Sequence, residues 1–411
     1  LNVEVQKIAE KLTPGERSLI LIVGAVQFVN ILDFMMVMPL GPDFARALHV
    51  PTSMIGAVGG AYTAAAAVAG LVCSLFLDRF ERRRTLTVLM LGLAVATVLG
   101  GFTWDLPSLL ASRVLAGVFG GPATSVSLAI VTDAVPPSRR GKAMGQVMAA
   151  FSVASIIGVP TGLELARHFG FRVPFFAVGA LSLVVTLFAT RLLPEMRDHL
   201  RTGPRQGGPF LSSIAWVSLT NTAVTMLGVF SIVPNIAAFL QFNLGYPREA
   251  LSTFYLVGGI ASFFAMRLVG SWVDRVGAIP LILLGTAFHV FALLTGFIHP
   301  TKSLPVLFVF TIYMLSGSVR MVPIQTLASR IPEPNARARF MSAQSSVQHL
   351  ASATGAFMSS AFLRAEPSGR LIGLDRIAQL SLGLALLGPI LASIVNGALR
   401  RRDASAVAEA A

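Results

Sequence analysis

Runs of at least about 18 mostly apolar residues recur along this chain, each long enough to cross a bilayer as a helix. Twelve can be traced: Ser18–Leu40, Ser53–Leu77, Thr85–Trp104, Pro107–Thr132, Ala143–Leu165, Val173–Leu193, Ser213–Phe242, Leu251–Val273, Ile279–Ile298, Leu304–Ala328, Met341–Leu363 and Ile377–Leu399. Backbone amides in hydrocarbon need partners within the segment or a closed barrel. The runs are continuous and do not alternate apolar with polar residues, so they predict helices and an all-α membrane protein. At 54% hydrophobic and 12% charged residues, with mean hydropathy +0.74, the chain is excluded from the class of water-soluble globules.

Most of the 32 Lys and Arg residues fall in one set of links, including Arg82-Arg83-Arg84, Arg139-Arg140 and Arg400-Arg401-Arg402. The alternate links are poorer in them. This asymmetry predicts that both termini face the cytoplasm of a multi-pass protein in a cell's inner (plasma) membrane. The net charge of +13 is dispersed over short loops, so it reads as a topology signal and excludes nucleic acid as a partner. Cys73 is the single cysteine, and the His, Cys and acid spacings offer no metal site. No phosphate-cradling loop is present, so neither an enzyme nor ATP-driven transport is expected, and no cofactor is implied.

The one link of soluble composition runs through Pro194-Glu-Met-Arg-Asp-His-Leu-Arg-Thr-Gly-Pro-Arg-Gln-Gly-Gly-Pro209. It divides the chain into a cytoplasmic segment 1–17, a six-helix bundle 18–193, a cytoplasmic linker 194–212, a second bundle 213–400 and a tail 401–411. A repeat supports the division. Ser74-Leu-Phe-Leu-Asp78-Arg79-Phe-Glu81 after the second run matches Gly270-Ser-Trp-Val-Asp274-Arg275-Val-Gly277 after the eighth, and Pro332 follows Pro136 by the same offset. Two parallel six-helix halves are the simplest consequence.

The Asp-Arg-x-Gly pattern of these loops resembles a loop motif of the major facilitator superfamily. In the first copy, Ser74 and Glu81 stand where that motif carries Gly. Arg113-Val-Leu-Ala-Gly117 in the fourth run is similar to the superfamily's fourth-helix Arg motif, and Asp133-Ala-Val-Pro-Pro-Ser-Arg-Arg-Gly141 follows it. Gly158-Val-Pro160-Thr-Gly162 resembles the fifth-helix motif of its drug:proton antiporters and sugar-efflux exporters. The resemblance implies a twelve-helix secondary transporter working by alternating access as a monomer. Its expected activity is proton-coupled multidrug-type efflux of a small amphipathic or drug-like solute. The alternative is a facilitator or symporter of a small polar or anionic metabolite or a lipid-like molecule.

Asp33 is the only acid well inside a run, and a carboxylate in hydrocarbon marks an ion or proton site by default. Arg113 lies at a matching depth, so the two are assigned to proton coupling, the alternative being a permanent structural ion pair. Asn30, Arg320, Tyr313, Gln344, Gln348 and His349 are candidates for binding substrate, against plain interhelical contacts. The resemblance casts Asp78, Arg79, Arg82, Asp133, Asp274 and Arg275 as a latch at the inner helix ends. Gly158, Pro160 and Gly162 are a candidate hinge, because Pro removes an amide donor and Gly permits close approach.

Overall fold

The structure is a computed structural model that describes residues 12–74, 79–196, 212–300, 304–332 and 337–410. The chain divides into two compact units, Leu1–Val50 with Ala61–Arg205, and Pro51–Gly60 with Gln206–Ala411. Most of the expected linker lies outside the described residues.

In the first unit the long helices are α1 (Pro14–Val37), α2 (Ile55–Ser74, entering from the second unit), α3 (Arg82–Gly101), α4 (Leu106–Ala134), α5 (Pro137–Val153, continued by Val159–Phe169) and α6 (Arg172–Leu192). Their starts follow from side chains that accept orphan backbone N–H groups. Thr13 and Glu16 form a reciprocal capping box at α1. Asp105 accepts from the Ser108 amide at α4. The unit is organised by two packed groups, α1 against α4, α5 and α6, and α3 between α4 and α6.

The second unit holds α7 (Ser213–Ile232), α8 (Leu251–Val276), α9 (Ala278–Leu293), α10 (Val306–Ser329), α11 (Arg337–Phe362) and α12 (Leu374–Ala410). Here α7 packs against α11 and α12, and α9 against α10 and α12. This is the pattern of α1 with α5 and α6, and of α3 with α4 and α6, so the loop repeat read in the sequence has a counterpart in helix packing. Leu219, Val269, Ile282, Ile324, Phe340 and Val395 meet in the unit's apolar core.

Among the described residues, eleven helices are long and apolar enough to cross a membrane, and the fold is all-α with multiple passes. The twelfth, α11, has the length but carries Arg337, Arg339, Gln344, Gln348 and His349. Among the described residues the strands are those of one two-stranded hairpin, Arg364–Ala365 against Leu371–Ile372, in the link before α12.

Candidate functional site

Asp33 on α1 and Arg113 on α4 meet in the first unit. Arg113 Nη1 donates to Asp33 Oδ1 at 3.3 Å and to Oδ2 at 3.2 Å, and Thr97 Oγ1 on α3 donates to Oδ1 at 2.8 Å. The carboxylate is 0% exposed and Arg113 1%. The guanidinium lies 5.0 Å from the centre of the Phe175 ring on α6. Gly100 makes room for this arrangement: a Cβ there would stand 2.7 Å from Phe175 and 3.2 Å from Arg113 Nη2. Nε and Nη2 of Arg113 find no hydrogen-bond partner among the described residues. A buried pair in this medium is strong in attraction but carries a large desolvation cost, so the two unpaired donors leave it only partly compensated. Chemically, the site sets one buried carboxylate against one buried guanidinium.

Asn30 lies about one turn before Asp33. Its Nδ2 donates to the Val26 carbonyl at 3.0 Å, while its buried Oδ1 has no partner among the described residues. Oδ1 and the Tyr62 hydroxyl both face the space left by Gly120. Tyr62 in turn rests against Phe34, with ring centroids 5.3 Å apart. Thr97 and Tyr62 join the site without any charge or motif in the sequence to mark them. Thr97 has one retrospective signal: it lies four residues before the end of α3, as Asp33 lies four before the end of α1.

The other expected binding residues lie in the second unit and are not joined to one another. Arg320 on α10 is 2% exposed, and among the described residues no carboxylate pairs with it. Tyr313, two turns earlier, sends its hydroxyl to the Val229 carbonyl at 3.5 Å. His289 Nδ1 lies 3.0 Å from Ser316 Oγ, and its ring rests on Tyr313 with centroids 5.2 Å apart, which gives it a packing role. Gln344 is buried with Oε1 unpartnered, Gln348 and His349 are half-buried, and no hydrogen bond links any of the three to Arg320 among the described residues.

At the helix ends of the first unit, Arg82 Nε pairs with Asp133 Oδ2 at 3.2 Å. Arg139 pairs with Glu16 at 2.8 Å and Arg83 with Glu195 at 2.9 Å, two contacts absent from the sequence expectation. Arg79 and Arg275 are exposed; Asp78 and the side chain of Asp274 lie outside the described residues. The two loop copies solve the same turn differently. Gly277 adopts φ +85°, a conformation natural to glycine, whereas Glu81 stays extended at φ −63° and caps α3. Its carboxylate accepts from the backbone amides of Arg83, Arg84 and Met196 at 2.8 to 2.9 Å. Burial alone would raise its pKa, but these amides and the Arg83 charge together hold it below the usual 4.5.

Because the folded pKa is lowered, the stability it contributes is present above the ordinary carboxylate range and is lost as pH falls through the folded value. Glu81→Ala is therefore expected to cost about 1 kcal/mol at neutral pH. The gap from the parent should close on acidification, as followed by thermal unfolding of the purified protein. A gap independent of pH would mean that the carboxylate charge is not what caps α3.

The motif Gly158-Val-Pro160-Thr-Gly162 sits where α5 changes form. A π turn spans Ala154–Gly158, and α-helix resumes at Val159 with Pro160 in its first turn, where the missing amide is tolerated. Both glycines serve close approach to α1: a Cβ at Gly158 would stand 2.7 Å from Leu32, and one at Gly162 3.1 Å from Met36. These contacts flank Asp33 in sequence.

Two comparisons bear on what this arrangement belongs to. Residues 23–356 match the sequence profile of the Major Facilitator Superfamily. The chain belongs to that superfamily. Among solved members of the fold, a bacterial homolog of the human lysosomal transporter Spinster, in an inward-facing occupied state, has TM-score 0.72 at 16% identity, over 95% of this chain and 98% of that one. A D-xylose-proton symporter has TM-score 0.75 at 14% identity, over 91% and 96%. The human organic anion transporter MFSD10 has TM-score 0.65 at 18% identity, over 92% and 100%. The superfamily assignment makes the chain a secondary transporter and not an enzyme. At these identities the structural likeness shows the fold alone, so neither the exporter branch nor a substrate follows from it.

Proposed function

We propose that this chain is a proton-coupled secondary transporter of a small polar or anionic solute, with Asp33 as the residue that takes and releases the proton. The observation that carries the reading is the burial of Asp33 against Arg113, whose Nε and Nη2 remain unpartnered. A carboxylate in that setting has two competing stable states, ionised against the guanidinium or protonated in the apolar interior. A solute or a helix movement that changes the distance between the two groups changes which state is occupied, and a ligand shifts a two-state equilibrium only through such differential interaction. Thr97 donates to the carboxylate, and Asn30 and Tyr62 lie beside the same helices. Proteins of the same fold include a proton–sugar symporter and an organic anion transporter, which supports the polar or anionic choice.

A second reading is efflux of an amphipathic, drug-like solute, favoured by the fifth-helix motif Gly158-Val-Pro160-Thr-Gly162. In either case Gly158, Pro160 and Gly162, at the end of the π turn packed on Leu32, are the proposed hinge, and the Arg82–Asp133 pair is the proposed part of the latch. The proposed setting is a monomer in the inner membrane with both termini cytoplasmic.

The experiment is counterflow into proteoliposomes containing the full chain, with and without an imposed pH gradient. The panel covers monosaccharides, small monocarboxylates and lipophilic cations. Accumulation of a sugar or a monocarboxylate that depends on the gradient supports the first reading. Gradient-dependent movement of the lipophilic cations alone replaces it with the second, and flux indifferent to the gradient removes proton coupling.

A further inference from the structure

Among the described residues Arg320 is, with Arg113, one of two guanidinium side chains exposed by 2% or less, and it lacks what Arg113 has. Helices α7, α9, α10 and α11 contain no acidic residue at all. In α8 the one acid is Asp274, in the last turn. In α12 Asp375 stands in the first turn, Asp403 is occupied by Arg330 at 2.7 Å, and Glu409 stands in the last turn. Asp375 and Asp403 each lie about 20 Å along α12 from Gly388, which faces Arg320. Among the described residues no carboxylate pairs with Arg320. An unpaired cation in such a site is costly enough that a partner is required.

Gly388 leaves room for at least a methyl-sized group beside Arg320. A Cβ built on Gly388 would stand 3.6 Å from Arg320 Nη2 and 3.7 Å from Asn221 Oδ1, so the gap beside Gly388 is faced by both groups. Arg320 Nε and Asn221 Oδ1 are buried and have no hydrogen-bond partner among the described residues. The amide of Asn221 presents its nitrogen to the same gap when turned about its Cβ–Cγ bond, an assignment that the heavy-atom positions leave free. Gly285 fixes the arginine from the other side, since a Cβ there would be 2.7 Å from Arg320 Cγ.

We propose that Arg320, Asn221 and Gly388 form a binding site for one small monovalent anion inside the second unit. One guanidinium supplies one positive charge, and the guanidinium with an amide offers N–H donors to a single acceptor atom or group. Chloride and the carboxylate of a small solute share this chemistry. The site stands apart from proton coupling at Asp33, and the test reads binding, not flux.

The test is thermal unfolding of the purified full chain at constant ionic strength. The sodium salt of a bulky sulfonate is the reference, into which chloride, bromide or acetate is titrated. A ligand that binds the folded state raises the midpoint saturably with its concentration. The parent is expected to show such a rise. Gly388→Ala introduces ordinary van der Waals contacts, so it should melt near the parent in the reference salt and bind the anion roughly tenfold more weakly or worse. Arg320→Met removes the buried charge and should lose the response altogether while remaining folded without anion. A response to chloride and bromide identifies a halide site; a response to acetate alone identifies a carboxylate site. If no anion moves the parent's midpoint, or if Gly388→Ala titrates like the parent, the proposal is overturned. Because Gly388 lies outside the proton pair, a failure here leaves the reading of Asp33 intact.

Discussion

Asp33→Asn is expected to abolish uphill transport driven by a pH gradient while exchange of solute down its own gradient partly survives. The substitution preserves shape and an acceptor for Thr97 but removes the only group in the pair that can carry a proton across the cycle. It also leaves Arg113 buried without a counter-charge, and breaking a buried pair from one side costs about 3–5 kcal/mol. Lower yield and a lower unfolding midpoint therefore accompany the loss. These two effects separate in the double variant Asp33→Asn with Arg113→Gln, which removes both charges. Its midpoint should recover toward the parent, yet its gradient-driven accumulation should remain absent. Undiminished accumulation by the single variant would take Asp33 out of the mechanism. Recovery of accumulation in the double variant would reduce the pair to a structural role.

Gly117→Val is expected to be the most damaging single change to the first unit. A Cβ at Gly117 would land on the carbonyl oxygen of Tyr62 and within 2.9 Å of the Ala65 side chain, so α4 and α2 pack through backbone at this point. Overpacking commonly costs about 1–3 kcal/mol, and more where the obstacle cannot rotate aside, as a helical carbonyl cannot. The variant should give little folded protein in the membrane, as measured by monodisperse yield in mild detergent. Gly24→Ala is the control, since nothing lies within 4 Å of a Cβ there. A Gly117→Val protein that folds at parental yield would show that the two helices separate freely here.

Gly117 also shows how far the sequence could be read. The motif Arg113-Val-Leu-Ala-Gly117 was visible as a string, but nothing in it says that the glycine meets Tyr62 or that the arginine meets Asp33 and Phe175. The pairing with Asp33 was inferable because both residues sit at matching depths and carry opposite charge. Thr97 is not marked in the sequence because a hydroxyl in a helix can satisfy itself locally on a carbonyl of the preceding turn, so its presence carries no obligation to find a partner. Glu81 was a departure from a glycine pattern, and only the fold shows that its carboxylate gathers three backbone amides, two of its own helix and one from Met196. The two glycines of the fifth-helix motif invite a purely conformational reading; the structure adds close packing on Leu32 and Met36.

What the sequence by itself determined was that long apolar helices make up an all-α, multi-pass fold, that a loop motif recurs in the chain, and that Asp33 is an anomalous acid. These follow from transfer free energy and backbone hydrogen bonding, which each residue or segment carries regardless of its neighbours. What only the tertiary structure decided was pairing. Arg113 and Arg320 are the same residue type in similar apolar surroundings, yet one has a carboxylate at 3.2 Å and the other faces a gap beside Gly388. That difference depends on how each helix is rotated about its axis and which neighbours it packs against. With weakly amphipathic, nearly uniformly apolar helices such as α4 and α10, the sequence pattern leaves that rotation undetermined, and close packing between specific side chains sets it.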